Sequence, residues 1–169
     1  FMSKGGEPES FSLTDGFVIV KPGGEGIRNL AEYRTLIYIT KATRTYVTQD
    51  NGDLPSTWEL NSVDDAIGAE CHSIARALGS DSSTEDFLIV ASRNGLQLFA
   101  GTYAERPLSW KIKELWNSIR VDRFNEVEVA LDPVNKFIYV AVPTDPDITG
   151  PNKIFFADYS EGMDWQNIK

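Results

Sequence analysis

The chain has 169 residues, 41% of them hydrophobic and 24% charged, with a formal net charge of −9 and an isoelectric point near 4.6. That length and composition suit one ordered domain with a sizeable core and exclude a disordered chain. The negative charge disfavours both a broad phosphate-binding surface for nucleic acid and adsorption to an anionic membrane.

The single cysteine, Cys71, excludes an internal disulfide, and with one histidine, His72, no zinc spacing exists. No apolar run approaches the length of a membrane span, and the N-terminus lacks the charged and apolar regions of a secretory signal. The first residue is Phe1, which points to processing or to a segment of a longer protein.

In chain order, short β-rich runs dominate. Gly16 to Val20 reads as a strand stopped by Pro22-Gly23-Gly24. Ile27 to Tyr33, Leu36 to Thr40 and Arg44 to Thr48 follow, rich in β-branched and aromatic residues. Asp50-Asn51-Gly52-Asp53 is a turn cluster, and Trp58 to Val63 the next strand. The pattern restarts with Cys71 to Leu78 and a polar loop over Gly79 to Glu85. Phe87 to Ala91 and Gly95 to Phe99 form a hairpin signalled by Asn94-Gly95. Trp110 to Trp116 fits either a strand or a helical turn. In a third unit, Glu126 to Leu131, the turn Asp132 to Asn135, Phe137 to Val142, the Pro143 to Pro151 loop and Lys153 to Asp158 follow in sequence.

A recurring Pro-x-Ser/Thr-aromatic pattern punctuates these units. It ends at Phe11, Trp58 and Trp110, with a degenerate copy at Trp165; the anchors are separated by 58 − 11 = 47, 110 − 58 = 52 and 165 − 110 = 55 residues. A period of roughly 40–50 residues built from short strands indicates propeller blades. The expected fold is all-β: four-stranded antiparallel blades of a β-propeller, as a partial or composite ring. The whole chain, 1–169, reads as one propeller region, with a partial blade over 1–22, units over 23–66, 67–120 and 121–169, and the last one cut short. Because propellers use roughly 4–8 blades, about three blades imply a larger object or several copies.

Five stretches carry a family resemblance: Met2 to Val20, Trp58 to Ile74, Phe87 to Thr102, Arg123 to Pro143 and Asn152 to Tyr159. Together they resemble the β-propeller structural proteins of tailed bacteriophage necks and tails. The shared grammar includes an Asp-x-x-x-Gly step, here Asp64 to Gly68. It also includes an Asp-Pro-x-x-x-x-Ile-Tyr-x-x-x-Pro strand, here Asp132 to Pro143. The resemblance implies a virion component without catalytic residues or cofactors, located in the virion and held by contacts with other virion proteins in a symmetric multimer.

Candidate chemistry is sparse. Thr48 to Gly52 followed by Trp58 resembles the Asp box of sialidases, a structural turn. Glycoside hydrolysis needs two carboxylates roughly 5–10 Å apart; the best set is Asp64, Asp65 and Glu70 at the entry to an inner strand. A sialidase-type site also needs clustered arginines, and these look scattered along the chain. Cys71 and His72 are adjacent, point to opposite faces of a strand, and read as a buried thiol beside a hydrogen-bonded imidazole. Asp50, Asn51 and Asp53, or Asp145, Asp147 and Thr149, offer oxygen ligands for calcium but match no calcium loop, so the expectation is a chain without catalytic or metal residues. Phe11, Trp58, Trp110 and Trp165 read as repeat anchors that pack between blade edge and turn. Tyr103 and Trp116 fall outside the repeat and, with Asp145 and Asp147 of the long loop, are the candidate partner contacts. The alternative function is a carbohydrate-recognising propeller, a receptor-binding lectin or a glycosidase for a host-surface glycan.

Overall fold

The computed structural model describes residues 3–4, 7–11, 25–70, 72–77, 87–159 and 164–168. These are mostly β, arranged as successive antiparallel meanders. A two-stranded hairpin, β1 (Ser3–Lys4) and β2 (Glu7–Phe11), precedes the first large sheet. That sheet contains β3 (Asn29–Tyr33), β4 (Leu36–Thr40), β5 (Thr45–Thr48) and β6 (Asn61–Asp64) in sequence order. The second has three strands, β7 (Ile74–Ala77), β8 (Phe87–Ser92) and β9 (Gly95–Phe99). The third has four: β10 (Glu128–Asp132), β11 (Phe137–Val142), β12 (Lys153–Asp158) and β13 (Asp164–Ile168). Among the described residues these sheets close into neither a barrel nor a ring. The expected strand at Gly16 to Val20 lies outside the described residues.

The central strands form because Val, Ile, Phe and Tyr suit a pleated surface covered on both sides. Their alternation assigns the layers. In β8, Leu88 and Val90 face the first sheet with Tyr33, Tyr38 and Phe99, while Ile89 and Ala91 face the third with Ile138, Val140 and Phe155. The first interface is aromatic: the Tyr38 and Phe99 rings meet edge-on at 4.7 Å, and Tyr33 lies 5.8 Å from Phe99. Burial of each such side chain stabilises by about 1.5–3 kcal/mol. The second sheet is thus the middle layer of a three-sheet stack, and β7 and β10 are neighbours, the Val129 N–H donating to the His72 carbonyl.

Two features depart from expectation. Among the described residues the second sheet has no full fourth strand. After a bridge between Phe99 and Tyr103, the chain runs back along β9, and Pro107 and the Ser109 hydroxyl lie where a Cβ on Gly95 would come within 2.8 Å of each. The Leu96 N–H donates to Ser109 Oγ at 3.0 Å, so this position takes a side chain in place of a ladder bond. The segment that fitted either strand or helix is helical: a 3-10 turn over Leu108–Ile112 leads into α1 (Lys113–Trp116).

The Asp64 to Gly68 step has a physical explanation. Asp64 Oδ1 accepts the N–H groups of Ala66 (2.7 Å) and Ile67 (2.6 Å), which turns the chain out of β6. Gly68 then passes beneath the backbone of residues 41–44, and the Ala69 N–H donates to the Lys41 carbonyl.

Candidate functional site

Two of the aromatic anchors, Trp58 and Trp110, share a turn but not a place. Trp58 N–H donates to Pro55 O and Trp110 N–H to Pro107 O, so both Pro-x-Ser/Thr-Trp stretches form the same 3-10 turn. The first lies in the β5–β6 loop; the second sits beside Gly95, at the opposite end of its sheet. Trp58 is buried and its Nε1 donates to the Asp53 carbonyl at 3.1 Å. Trp110 is 51% exposed with the Arg106 guanidinium 4.9 Å from its ring, so it is not a packed anchor. Trp58→Ala should therefore cost about 2–3 kcal/mol and Trp110→Ala under about 0.5 kcal/mol in urea unfolding; equal losses would restore an equivalent role for the two. Phe11 and Trp165 belong to β2 and β13, and their side chains lie outside the described residues.

Of the four expected partner contacts, Trp116 is a core residue and Tyr103 is half-buried against the aromatic cluster. Trp116 is 4% exposed, packs with Phe124 and Phe155, and donates from Nε1 to the Ser92 carbonyl at 3.2 Å. Tyr103 stacks edge-on with Phe99 at 4.9 Å and shares a 2.9 Å hydrogen bond with Thr45 Oγ1 across the first two sheets. Burial pushes its hydroxyl up to about 12, against the opposing effect of that hydrogen bond. Both side chains are structural; the apolar surface of the Trp110 to Trp116 segment is presented by Trp110 and Leu115. Asp147 is exposed and Asp145 half-buried, in a loop tied down by Arg123, which donates to the carbonyls of Asp145, Ile148 and Gly150.

The candidate acidic clusters are turns. Asp50 Oδ1 accepts the Gly52 N–H, Asn51 Oδ1 the Asp53 N–H, and Asp145 Oδ1 the Asp147 N–H. No group of three His, Cys, Asp or Glu that could hold a metal occurs among the described residues. His72 is exposed at a positive φ of 65°, in a turn and not in a strand as expected; Cys71 lies outside the described residues. A groove of about 380 Å³ on the first sheet is lined by Leu36, Val47, Thr48, Gln49, Asn51, Glu59 and Asn61, a set with neither an aromatic nor an arginine.

Two surfaces stand out instead. The first is the outer face of the third sheet. Inward residues of β11 and β12 are Ile138, Val140, Phe155 and Ala157; the alternate positions hold Phe137, Tyr139, Phe156 and Ile154. Phe137 lies 4.7 Å from Phe156, and Tyr139 lies 5.4 Å from Phe156, forming a half-buried aromatic cluster beside Ile154, which is 41% exposed. The sheet is apolar on both faces, the pattern of an internal layer.

The middle strands show what this face matches. Leu36-Ile37-Tyr38-Ile39-Thr40, Phe87-Leu88-Ile89-Val90-Ala91 and Phe137-Ile138-Tyr139-Val140-Ala141 align without gaps, at spacings of 87 − 36 = 51 and 137 − 87 = 50 residues. The central residues are equivalent: Tyr38 packs on the second sheet, Ile89 on the third. Tyr139 occupies the same position with no following sheet among the described residues.

The second surface is the loop end where β3, β7 and β10 begin. Arginines that look scattered in the sequence converge there: Arg28, Arg44, Arg93, Arg120 and Arg123. Bonds between loops fix this end, among them Asn94 Nδ2 to the Ala66 carbonyl at 2.9 Å and Arg120 N–H to the Pro143 carbonyl at 2.9 Å. Arg120 forks onto Asp122 and Arg123 onto Glu126, whose carboxyl that guanidinium holds below its usual range. Arg28 and Arg93 share Glu70, which is 3% exposed.

No protein-family model matches the chain, and no curated protein matches it significantly.

Proposed function

We propose that this chain is a non-catalytic structural module, an arc of a β-propeller in the tail or neck of a bacteriophage virion. It acts by holding neighbouring subunits together. The observation that carries the reading is the aromatic outer face of the third sheet. Each preceding meander presents the equivalent middle-strand residue, Tyr38 or Ile89, to the next sheet. By the same rule Tyr139 meets a further meander of this repeat, supplied by a second copy of the chain. The proximity of the first strands β7 and β10 supports a radial arrangement, because first strands line the centre of such a ring. The virion assignment rests on the resemblance of the blade motifs, and the acidic chain suits a tail or neck protein that must not adhere to packaged DNA.

Tyr139→Asp tests the reading. A charge in the centre of an apolar interface costs several kcal/mol of association, so native mass spectrometry should show a multimer for the parent chain and a monomer for the variant. A parent chain that is monomeric at every concentration refutes assembly through this face. Selective retention on a glycan array would move the carbohydrate-recognition alternative ahead of it.

A further inference from the structure

We infer that Arg28 and Arg93, poised on the buried carboxylate of Glu70, form a binding site for a small oxyanionic group, a carboxylate or a phosphate. The site is distinct from the aromatic face and does not depend on the assembly role.

Glu70 offers a single carboxyl, and its side chain is 4% exposed. Two guanidinium groups face it, Arg28 Nε at 3.3 Å from Oε2 and an Arg93 terminal nitrogen at 3.5 Å from Oε1. The trio therefore carries a net positive charge within an acidic chain. Both distances exceed the roughly 2.7–2.9 Å of a strong charge-assisted hydrogen bond. Each arginine has five N–H donors in a planar fork, and Glu70 engages one nitrogen of each. Both arginine side chains are partly exposed, 49% and 43%, so the pair is open to solvent.

The trio is also rigidly built. The Glu70 carbonyl accepts Ser73 Oγ–H at 2.8 Å and, at 3.4 Å, both the Ser73 N–H and Asn29 Nδ2–H. This fixes the Glu70 backbone, from which the carboxylate reaches the two arginines. Arg28 immediately precedes β3, and Arg93 occupies the tight β8–β9 turn. A carboxylate that holds two forks at a set separation, without saturating them, is a template for a second oxyanion. Arg93 also lines a cavity of about 200 Å³ with Trp116, Asn117, Ile119, Val121 and Phe124. That cavity puts an apolar wall and one amide on the side of Arg93 that faces the third sheet.

The alternative is that the trio only ties the loops together, and it predicts no saturable anion binding. If it binds an oxyanion, the ligand takes the donors that Glu70 leaves open, and a carboxylate beside it opposes it by charge, which the similarly shaped Gln would not. Titration of the full chain with inorganic phosphate and, separately, acetate at constant ionic strength, followed by NMR shifts of the arginine Nε–H groups and the amides of His72, Arg93 and Asn94, should be saturable. Arg93→Gln should weaken binding about tenfold, the loss of one charge-assisted contact, and Glu70→Gln should tighten it. Arg28→Gln, at an exposed side chain, provides the same test as Arg93→Gln should Glu70→Gln not fold. Tighter binding of phosphate identifies a phosphoester ligand, and tighter binding of acetate a carboxylate. Absence of saturable shifts, shifts reproduced by chloride, or affinity unchanged in both arginine variants overturns the site.

Discussion

Gly68→Ala should destabilise the fold by about 3 kcal/mol or more, the upper range for overpacking a tight core. A Cβ at this position would lie 2.1 Å from the Lys41 carbonyl oxygen and 2.6 Å from both the Ala42 carbonyl carbon and the Arg44 nitrogen. All three are backbone atoms, so no rotamer change relieves the clash. Separating the strands would break the Ala69 N–H bond to Lys41 and the 3.2 Å bond from Thr40 Oγ1 to the Ala69 carbonyl, which join the end of β4 to the chain leaving β6. For a domain whose whole stability is about 5–15 kcal/mol, this single methyl group removes much of it. Gly26→Ala is the control: nothing lies within 4 Å of its added Cβ, and urea unfolding should shift by under about 0.5 kcal/mol. A Gly68→Ala loss as small as the control's means that the 41–44 loop does not rest on Gly68, and the Asp64 to Gly68 step is then a turn and not a joint between sheets.

The strands were legible because their residues report local surroundings. β4, β8 and β11 are short apolar runs bounded by turn residues, and Asn94-Gly95 marks the tight hairpin after β8. Among the described anchors, Trp58 is buried and Trp110 is not, for a physical reason. Pro-x-Ser/Thr-Trp encodes a 3-10 turn, but where the turn docks depends on distant atoms: Gly95 has no Cβ to exclude Pro107, and Ser109 Oγ meets the Leu96 N–H. The spacing near 50 residues belongs to the middle strands, which keep Tyr38, Ile89 and Tyr139 in one register. The arginine cluster was illegible in linear order, because residues 28 and 93 meet only when successive meanders bring strand starts and second turns to one end. Trp116 had a usable signal. Leu108, Ile112 and Trp116 recur every four residues, a helical stripe, and all three pack into the second core cluster despite the intervening Lys111, Lys113 and Glu114.

That stripe leads to the other large effect expected. Trp116→Ala should cost about 3–5 kcal/mol, the range for truncating a buried aromatic side chain. The indole sits between the second and third sheets against Phe124 and Phe155, and its Nε1–H satisfies the Ser92 carbonyl at the end of β8. Two contributions can be separated. Trp116→Phe keeps most of the ring volume but removes the donor, so about 1–3 kcal/mol of its loss measures the unsatisfied carbonyl; the remainder of the alanine loss measures the cavity. Leu115→Ala, one residue away but 38% exposed, should change stability by under about 1 kcal/mol. Should Trp116→Ala instead match Leu115→Ala in equilibrium unfolding, the helical segment is not wedged between the sheets, and Trp116 returns as a surface for partners. The cavity beside Arg93 adds a second readout: Trp116 forms one of its walls. An alanine variant that loses stability yet retains anion-dependent shifts at Arg93 would place the oxyanion on the Glu70 side of that guanidinium.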